Sequence, residues 1–123
     1  MKVRSHRDLD VYRLAFQLAM KIFDISKTFP PEEKYSLTDQ IRRSSRSVCA
    51  NIGEAFRKRR YEKSFIVKLN DAESEAAESQ VWIEFAQAIG YLSQEGANDL
   101  YTAYDGVIGK LITMSNQADK WSV

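Results

Sequence analysis

Cysteine and histidine each occur once, as Cys49 and His6, in a chain of 123 residues. A lone thiol excludes an internal disulfide and any zinc site built from several cysteines. One imidazole without a partner leaves metal and triad chemistry without its usual parts. Proline occurs twice and glycine five times, too little punctuation for a turn-rich β fold. No apolar run reaches the roughly 20 residues that a membrane-spanning helix needs. The first residues, Met1 to Arg7, carry positive charge with no apolar stretch behind it, so a cytoplasmic location is expected.

The same scarcity bears on catalysis. No Gly-rich phosphate loop occurs, and Ser44, Ser45 and Ser47 cluster beside Arg42, Arg43 and Arg46 with no base near enough to activate a hydroxyl. They are read as small helix-packing residues, Cys49 as a small packed residue and His6 as a surface residue. Glu75 and Glu78 have the i, i+3 spacing of helical carboxylate metal sites, but no matching carboxylates stand out elsewhere, so surface charge is their expected role. A non-enzymatic protein without metal or cofactor is expected.

What is present in quantity is charge and periodic apolar residues. Charged residues make up 28% of the chain and hydrophobic ones 44%, enough for one core and suited to long helices with wet outer faces. A single domain spanning residues 1–123 is expected. The formal net charge of +1 conceals an asymmetry: residues 1–68 hold 16 Lys/Arg against 8 Asp/Glu, and residues 69–123 hold 2 against 9. Such a split suits either a basic surface for an anionic partner or two halves that neutralise each other.

Spacings of three and four predict four helices, arranged as an all-α, antiparallel up-down-up-down four-helix bundle. The first runs from about Leu9 to Thr28, with Val11, Ala15, Leu18, Ile22, Ile25 and Phe29 on one face and a stop at Pro30 and Pro31. The second runs from about Ser36 to Arg60, opened by a Ser36/Asp39 capping-box spacing, with the stripe Leu37, Ile41, Ser45, Val48, Ile52 and Ala55. The third, about Glu62 to Leu92, has a narrow seam of mostly small residues: Phe65, Leu69, Ala72, Ala76, Ser79, Ile83 and Ala86. The fourth follows a Ser93 to Gly96 connection and carries Leu100, Tyr104, Val107, Leu111, Met114 and Ala118.

Two helices carry a second apolar face. Tyr12, Phe16, Ala19 and Phe23 form it on the first helix, and Trp82, Phe85, Ile89 and Leu92 on the third. A lone bundle would leave both wet, so they are expected to form an oligomer interface; the alternative is a wide core face with aromatic lids. The second helix is also basic. At 100° per residue Arg42, Arg46, Arg57 and Arg60 share a sector roughly opposite the apolar stripe, with Arg43 on its flank. Residues 42–60 span about 27 Å, and Lys58, Arg59 and Lys63 extend the charge into the following turn. Between the two arginine groups Cys49, Ala50 and Gly53 leave room for a close approach. The approaching object is either a nucleic-acid backbone or a helix of a neighbouring subunit whose Asp71, Glu75 and Glu78 pair with the arginines.

The segment Phe29 to Ala55, FPPEEKYSLTDQIRRSSRSVCANIGEA, resembles the four-helix-bundle proteins encoded in intervening sequences of bacterial 23S rRNA genes. The shared positions are Phe29, Pro30, Glu33, Tyr35, Leu37, Gln40, Ile41, Arg42, Arg43, Ser47, Ala50, Asn51, Ile52 and Glu54. A start like Asp8-Leu9-Asp10-Val11-Tyr12 and the Ile89-Gly90-Tyr91-Leu92 end of the third helix extend the likeness over nearly the whole chain. Cys49 stands where the family usually has proline, and Ile-Gly-Glu-Ala replaces Ile-Ala-Glu-Gly, which would straighten the second helix and move its flexible point to Gly53.

The resemblance implies a relation to the accessory variability protein of diversity-generating retroelements, a basic pentameric barrel that binds nucleic acid and assists a reverse transcriptase. It makes Arg42 and Arg43 the candidates for phosphate contact, and gives Asn51 and Glu54 structural roles. Arg46, Arg57, Lys58, Arg59, Arg60 and Lys63 join the arginines from this chain's own pattern. The resulting expectation is a homo-oligomer, pentameric by the resemblance, that binds an RNA or DNA backbone through the second helix and has an interface of Tyr12, Phe16, Phe23, Trp82, Phe85 and Ile89. The alternative is an assembly adaptor whose arginines form ion pairs between subunits and which docks another protein, such as a polymerase.

Overall fold

A computed structural model describes residues 3–122, and Met1 and Lys2 of the N-terminal reading lie outside them. Among the described residues every regular element is helical. Four long helices, α1 (Asp10–Ser26), α2 (Leu37–Arg57), α3 (Glu62–Ile89) and α4 (Gln94–Asn116), are followed by the short α5 (Ala118–Trp121). Each long helix packs on its neighbour in sequence, and α1 also packs against α4, closing a four-membered ring around one core cluster.

The apolar stripes become that core. Val11, Ala15, Leu18 and Ile22 of α1 are buried, as are Leu37, Ile41, Val48, Ile52 and Ala55 of α2, the whole α3 seam, and Leu100, Tyr104, Val107, Leu111 and Met114 of α4. Ala118, the last member of the fourth stripe, is also buried but belongs to α5. The seam of small residues brings α2 and α3 close enough for the Ser44 and Ser79 hydroxyls to meet at 2.8 Å in the core. Ser79 Oγ also donates to the Glu75 carbonyl at 3.0 Å, and Ser45 Oγ to the Arg42 carbonyl at 3.0 Å, so these buried hydroxyls keep hydrogen-bond partners. On the other flank of α3, the buried Gln80 donates through Nε2 to Tyr101 O at 3.0 Å and Asp105 Oδ1 at 2.8 Å, tying α3 to α4.

Helix ends differ from the sequence reading in physically specific ways. Ser36 makes no side-chain cap, so the expected Ser36/Asp39 capping box is not formed. Glu33 replaces it: its Oε1 accepts from Ser36 Oγ at 2.6 Å and from the Leu37 backbone N–H at 3.3 Å, putting a carboxylate at the positive end of α2. Glu33 Oε2 also accepts from Tyr91 Oη at 3.0 Å, which links the α1–α2 connection to the α3–α4 connection. The Ser36 and Tyr91 hydrogen bonds hold the Glu33 carboxyl below its ordinary value. The third helix stops at Gly90, whose φ of 96° is the left-handed conformation that costs glycine least. Ser93, expected within a connection, is instead the N-cap of α4, its Oγ accepting from Gly96 N–H at 3.0 Å.

The second helix runs unbroken through Cys49 and Gly53. Burial pushes the Cys49 thiol up to about 11, in keeping with a packed side chain. Gly53 receives a neighbour from its own chain: a Cβ there would lie 3.9 Å from His6 Cγ. His6 is half-buried and meets Tyr12 edge-on with ring centroids 4.7 Å apart, which corrects its reading as a surface residue. Part of the close approach expected at Gly53 is therefore intramolecular.

Candidate functional site

The basic residues of α2 and the turn after it divide into two groups, with about 16 Å of helix between Arg46 and Arg57 at the usual rise. In the first, Arg42 turns toward α1. Its Nε donates to Ser26 Oγ at 2.8 Å, one terminal nitrogen lies 3.5 Å from the Phe23 carbonyl, and its guanidinium carbon is 4.7 Å from the Phe23 ring centroid. A cation there satisfies groups at the C-terminal end of α1 and meets the negative end of its dipole. Arg46 lies 5.7 Å and Lys27 4.8 Å from the same ring, so Phe23 serves three cations as a platform within the chain.

Arg43 points away from α1. Its side chain is 74% exposed and reaches Asp39, one turn back, at 3.8 Å, a weak solvent-screened contact. Arg46 is also exposed and stands between two grooves. One, lined by Tyr12, Phe16, Ala19, Met20, Phe23 and Cys49 in addition to Arg46, is apolar and lies against α1. The other lies between α2 and α3, where Arg43 and Arg46 face Glu75 and Glu78.

The second group occupies the end of α2 and the turn into α3. Arg57, Lys58, Arg60 and Lys63 are exposed, and none of them forms an ion pair among the described residues. Arg59 differs: its guanidinium stacks 3.6 Å from the Phe56 ring centroid, and its Nε is buried without a hydrogen-bond partner among the described residues. Burial, with Arg57 adding repulsion, holds the Arg59 guanidinium below its ordinary value. Lys68, just beyond, is already neutralised by Glu54 at 2.8 Å, and Glu54 thereby braces α2 against α3. Asn51 donates to Ser47 O at 2.9 Å within α2.

The two apolar faces remain partly open. Phe16 and Met20 of α1 are 49% and 50% exposed, and Phe85 and Ile89 of α3 are each 52% exposed. Tyr12, Phe23 and Trp82 are half-buried within the chain. Tyr35 joins Trp82, Phe85 and Ile89 along a groove at the α2 N-terminal end, and Trp82 Nε1 donates to Glu78 Oε2 at 3.0 Å. Ala19, placed on the α1 face by its spacing, is buried.

Sequence periodicity placed the arginines in one sector but could not show that Arg42 and Arg59 are engaged by Phe23, Ser26 and Phe56. It set Asp71, Glu75 and Glu78 against the arginines only as a contact with a neighbouring subunit, whereas Glu75 and Glu78 line a groove with Arg43 and Arg46 of the same chain. The Phe23/Lys27 spacing of one helical turn was the available local signal for the cation platform.

Among the described residues no group of three or more His, Cys, Asp or Glu is placed to hold a metal ion, and no helix is long and apolar enough to cross a membrane. Residues 7–113 match the family model described as 23S rRNA-intervening sequence protein. No curated protein matches the chain. Among solved structures, it is similar to a protein of unknown function from the S23 ribosomal protein family of Bacteroides thetaiotaomicron, with 29% sequence identity, a TM-score of 0.77, and coverage of 85% of this chain and 97% of that one.

Proposed function

This chain belongs to the 23S rRNA-intervening sequence protein family, and from that premise we propose that it is a non-enzymatic, homo-oligomeric bundle that binds the backbone of RNA or DNA. The observation that carries this reading is the set of exposed cations along α2 and into the start of α3: Arg43 and Arg46, then Arg57, Lys58, Arg60 and Lys63, of which only Arg43 has an acid within ion-pair reach among the described residues. Cations left without internal partners keep their full attraction for phosphates, and arginine adds bidentate geometry. Arg42 and Arg59 act behind them, one clamping α1 and the other packed on Phe56.

The four helices run alternately up and down in this reading. The half-open faces of Phe16 with Met20 and of Phe85 with Ile89 meet neighbouring subunits, and a ring of five would place the basic edges in one continuous field, as in the accessory variability proteins of diversity-generating retroelements. The protein works in the cytoplasm. Light scattering of the purified chain, with and without a short single-stranded RNA at low and high salt, tests this. A ring-sized mass that gains RNA only at low salt is expected, whereas an oligomer that ignores RNA at both salts rejects nucleic-acid binding and a monomer rejects the interface.

A second reading is an assembly adaptor that docks another protein, such as a polymerase. It is favoured by the groove in which Arg43 and Arg46 face Glu75 and Glu78 without pairing inside the chain. Arg43→Glu together with Arg46→Glu would then lower the oligomer mass, whereas in the first reading the mass holds and RNA binding falls.

A further inference from the structure

The groove between α2 and α3 has walls of opposite charge. Arg43 and Arg46 stand on the α2 side, Glu75 and Glu78 on the α3 side, and Ser44, Ser47 and Ala50 give it a floor of short side chains, enclosing about 590 Å³. Neither arginine forms an ion pair with either glutamate among the described residues. Trp82 Nε1 holds one oxygen of Glu78 at 3.0 Å, which fixes that carboxylate and leaves its other oxygen for a further donor. Burial, then the neighbouring Glu78, and more weakly Asp71, push the Glu75 carboxyl up, against the pull of the Ser47 hydroxyl. Hydrogen-bond donors brought by a ligand favour the ionised form of such crowded carboxylates.

We propose that this groove is a nucleotide subsite that takes one unpaired guanine nucleotide of a single strand, with its phosphate against Arg43 and Arg46 and its Watson–Crick edge against Glu75 and Glu78. The inference rests on the nucleic-acid reading above and adds base preference to it. Guanidiniums match phosphate oxygens, and an ionised carboxylate offers two acceptor oxygens and no donor. Guanine alone among the four bases presents two adjacent donors on that edge, N1–H and the N2 amino group. Cytosine and adenine present one amino group beside a ring nitrogen whose lone pair repels a carboxylate, and uracil presents one N–H between two carbonyls. In a duplex the guanine edge is occupied by its pairing partner, so the ligand is an unpaired nucleotide, the usual target of base-specific RNA recognition.

The test is fluorescence anisotropy of the full chain at low salt with three labelled strands of equal length: oligouridylate, the same strand with spaced guanosines, and the same strand with inosines at those positions. Inosine keeps N1–H and lacks the amino group. The guanosine strand is expected to bind about tenfold more tightly than either of the others, the discrimination of one good bidentate contact. Glu75→Gln should bring the guanosine-to-inosine ratio close to one with the oligomer mass unchanged, and Arg46→Ala should weaken all three strands. Equal binding of guanosine and inosine strands to the native chain overturns the subsite while leaving backbone binding intact. A preference that survives Glu75→Gln also overturns it, as does a loss of oligomer mass in that variant, which would make the groove a subunit contact. If no strand binds, the subsite falls together with the nucleic-acid reading.

Discussion

Arg42 Nε donates to Ser26 Oγ at 2.8 Å, so the last turn of α1 is closed by a cation from α2. Its neighbour Arg43 has a side chain 74% exposed and reaches only Asp39. Two adjacent arginines therefore do different work, one holding the bundle together and the other facing outward.

Arg42→Ala is expected to cost about 1–2 kcal/mol of stability, from a lost charge-assisted contact and an uncovered helix end. Arg43→Ala should stay within about 0.5 kcal/mol of the native chain. Urea denaturation of both variants checks the contrast, and equal losses would refute the division of labour.

Replacing Arg57, Lys58 and Arg60 together by glutamine should lower the slope of log affinity against log salt by about 2 on single-stranded RNA, at about 0.7 per phosphate contact. All three are exposed, so the thermal midpoint should barely move. An unchanged slope would remove the α2–α3 turn from the binding surface.

Glu33 sets a pH dependence with a definite sign. Its folded carboxyl lies below the ordinary 4.5, so its contribution is complete above that value and is lost as pH falls through the lowered folded value. Burial first, and the Glu33 hydrogen bond second, raise the Tyr91 phenol above 10.0; that contribution is present below 10.0 and fades as pH rises through the raised folded value. Urea midpoints across pH should therefore fall at both extremes. Tyr91→Phe should lessen the alkaline fall by the share that Tyr91 contributes, Cys49 and Lys68 keeping theirs, and, by taking away one hydrogen bond to Glu33, reduce the acid one.

Gly53→Ala should raise stability by about 0.5–1 kcal/mol, because the site is helical and a methyl would meet His6 at an ordinary 3.9 Å. Calorimetry or chemical denaturation reads this directly. A destabilised variant would mean that His6 sits closer to α2 than this geometry allows.

The helices were legible because burial imposes their period: every residue of the α3 seam from Phe65 to Ala86 is buried where the spacing placed it. Their ends were less legible. The cap of α2 is Glu33, on the far side of Ser36, and a rule confined to the helix itself looks on the wrong side of the boundary. The basic site was legible in composition and not in use. Arg42 and Arg46 differ by one helical turn and both lie over the Phe23 ring, yet only Arg42 hydrogen-bonds to the last turn of α1, and that depends on where α1 stops. Glu75 and Glu78 looked like solvated charge because a single-helix pattern carries no information about the wall opposite.

The ring of helix contacts also orders the folding reaction. Joining α1 to α2, α2 to α3 and α3 to α4 needs only short chain closures, whereas α1 meets α4 across the longest separation in sequence. Loop-closure entropy makes that last contact the slow one to organise, and the prevalence of local pairings places the chain among fast folders. Unfolding should begin at the same seam: hydrogen exchange is expected first along α1 and the end of α4, with the Ser44–Ser79 layer protected longest.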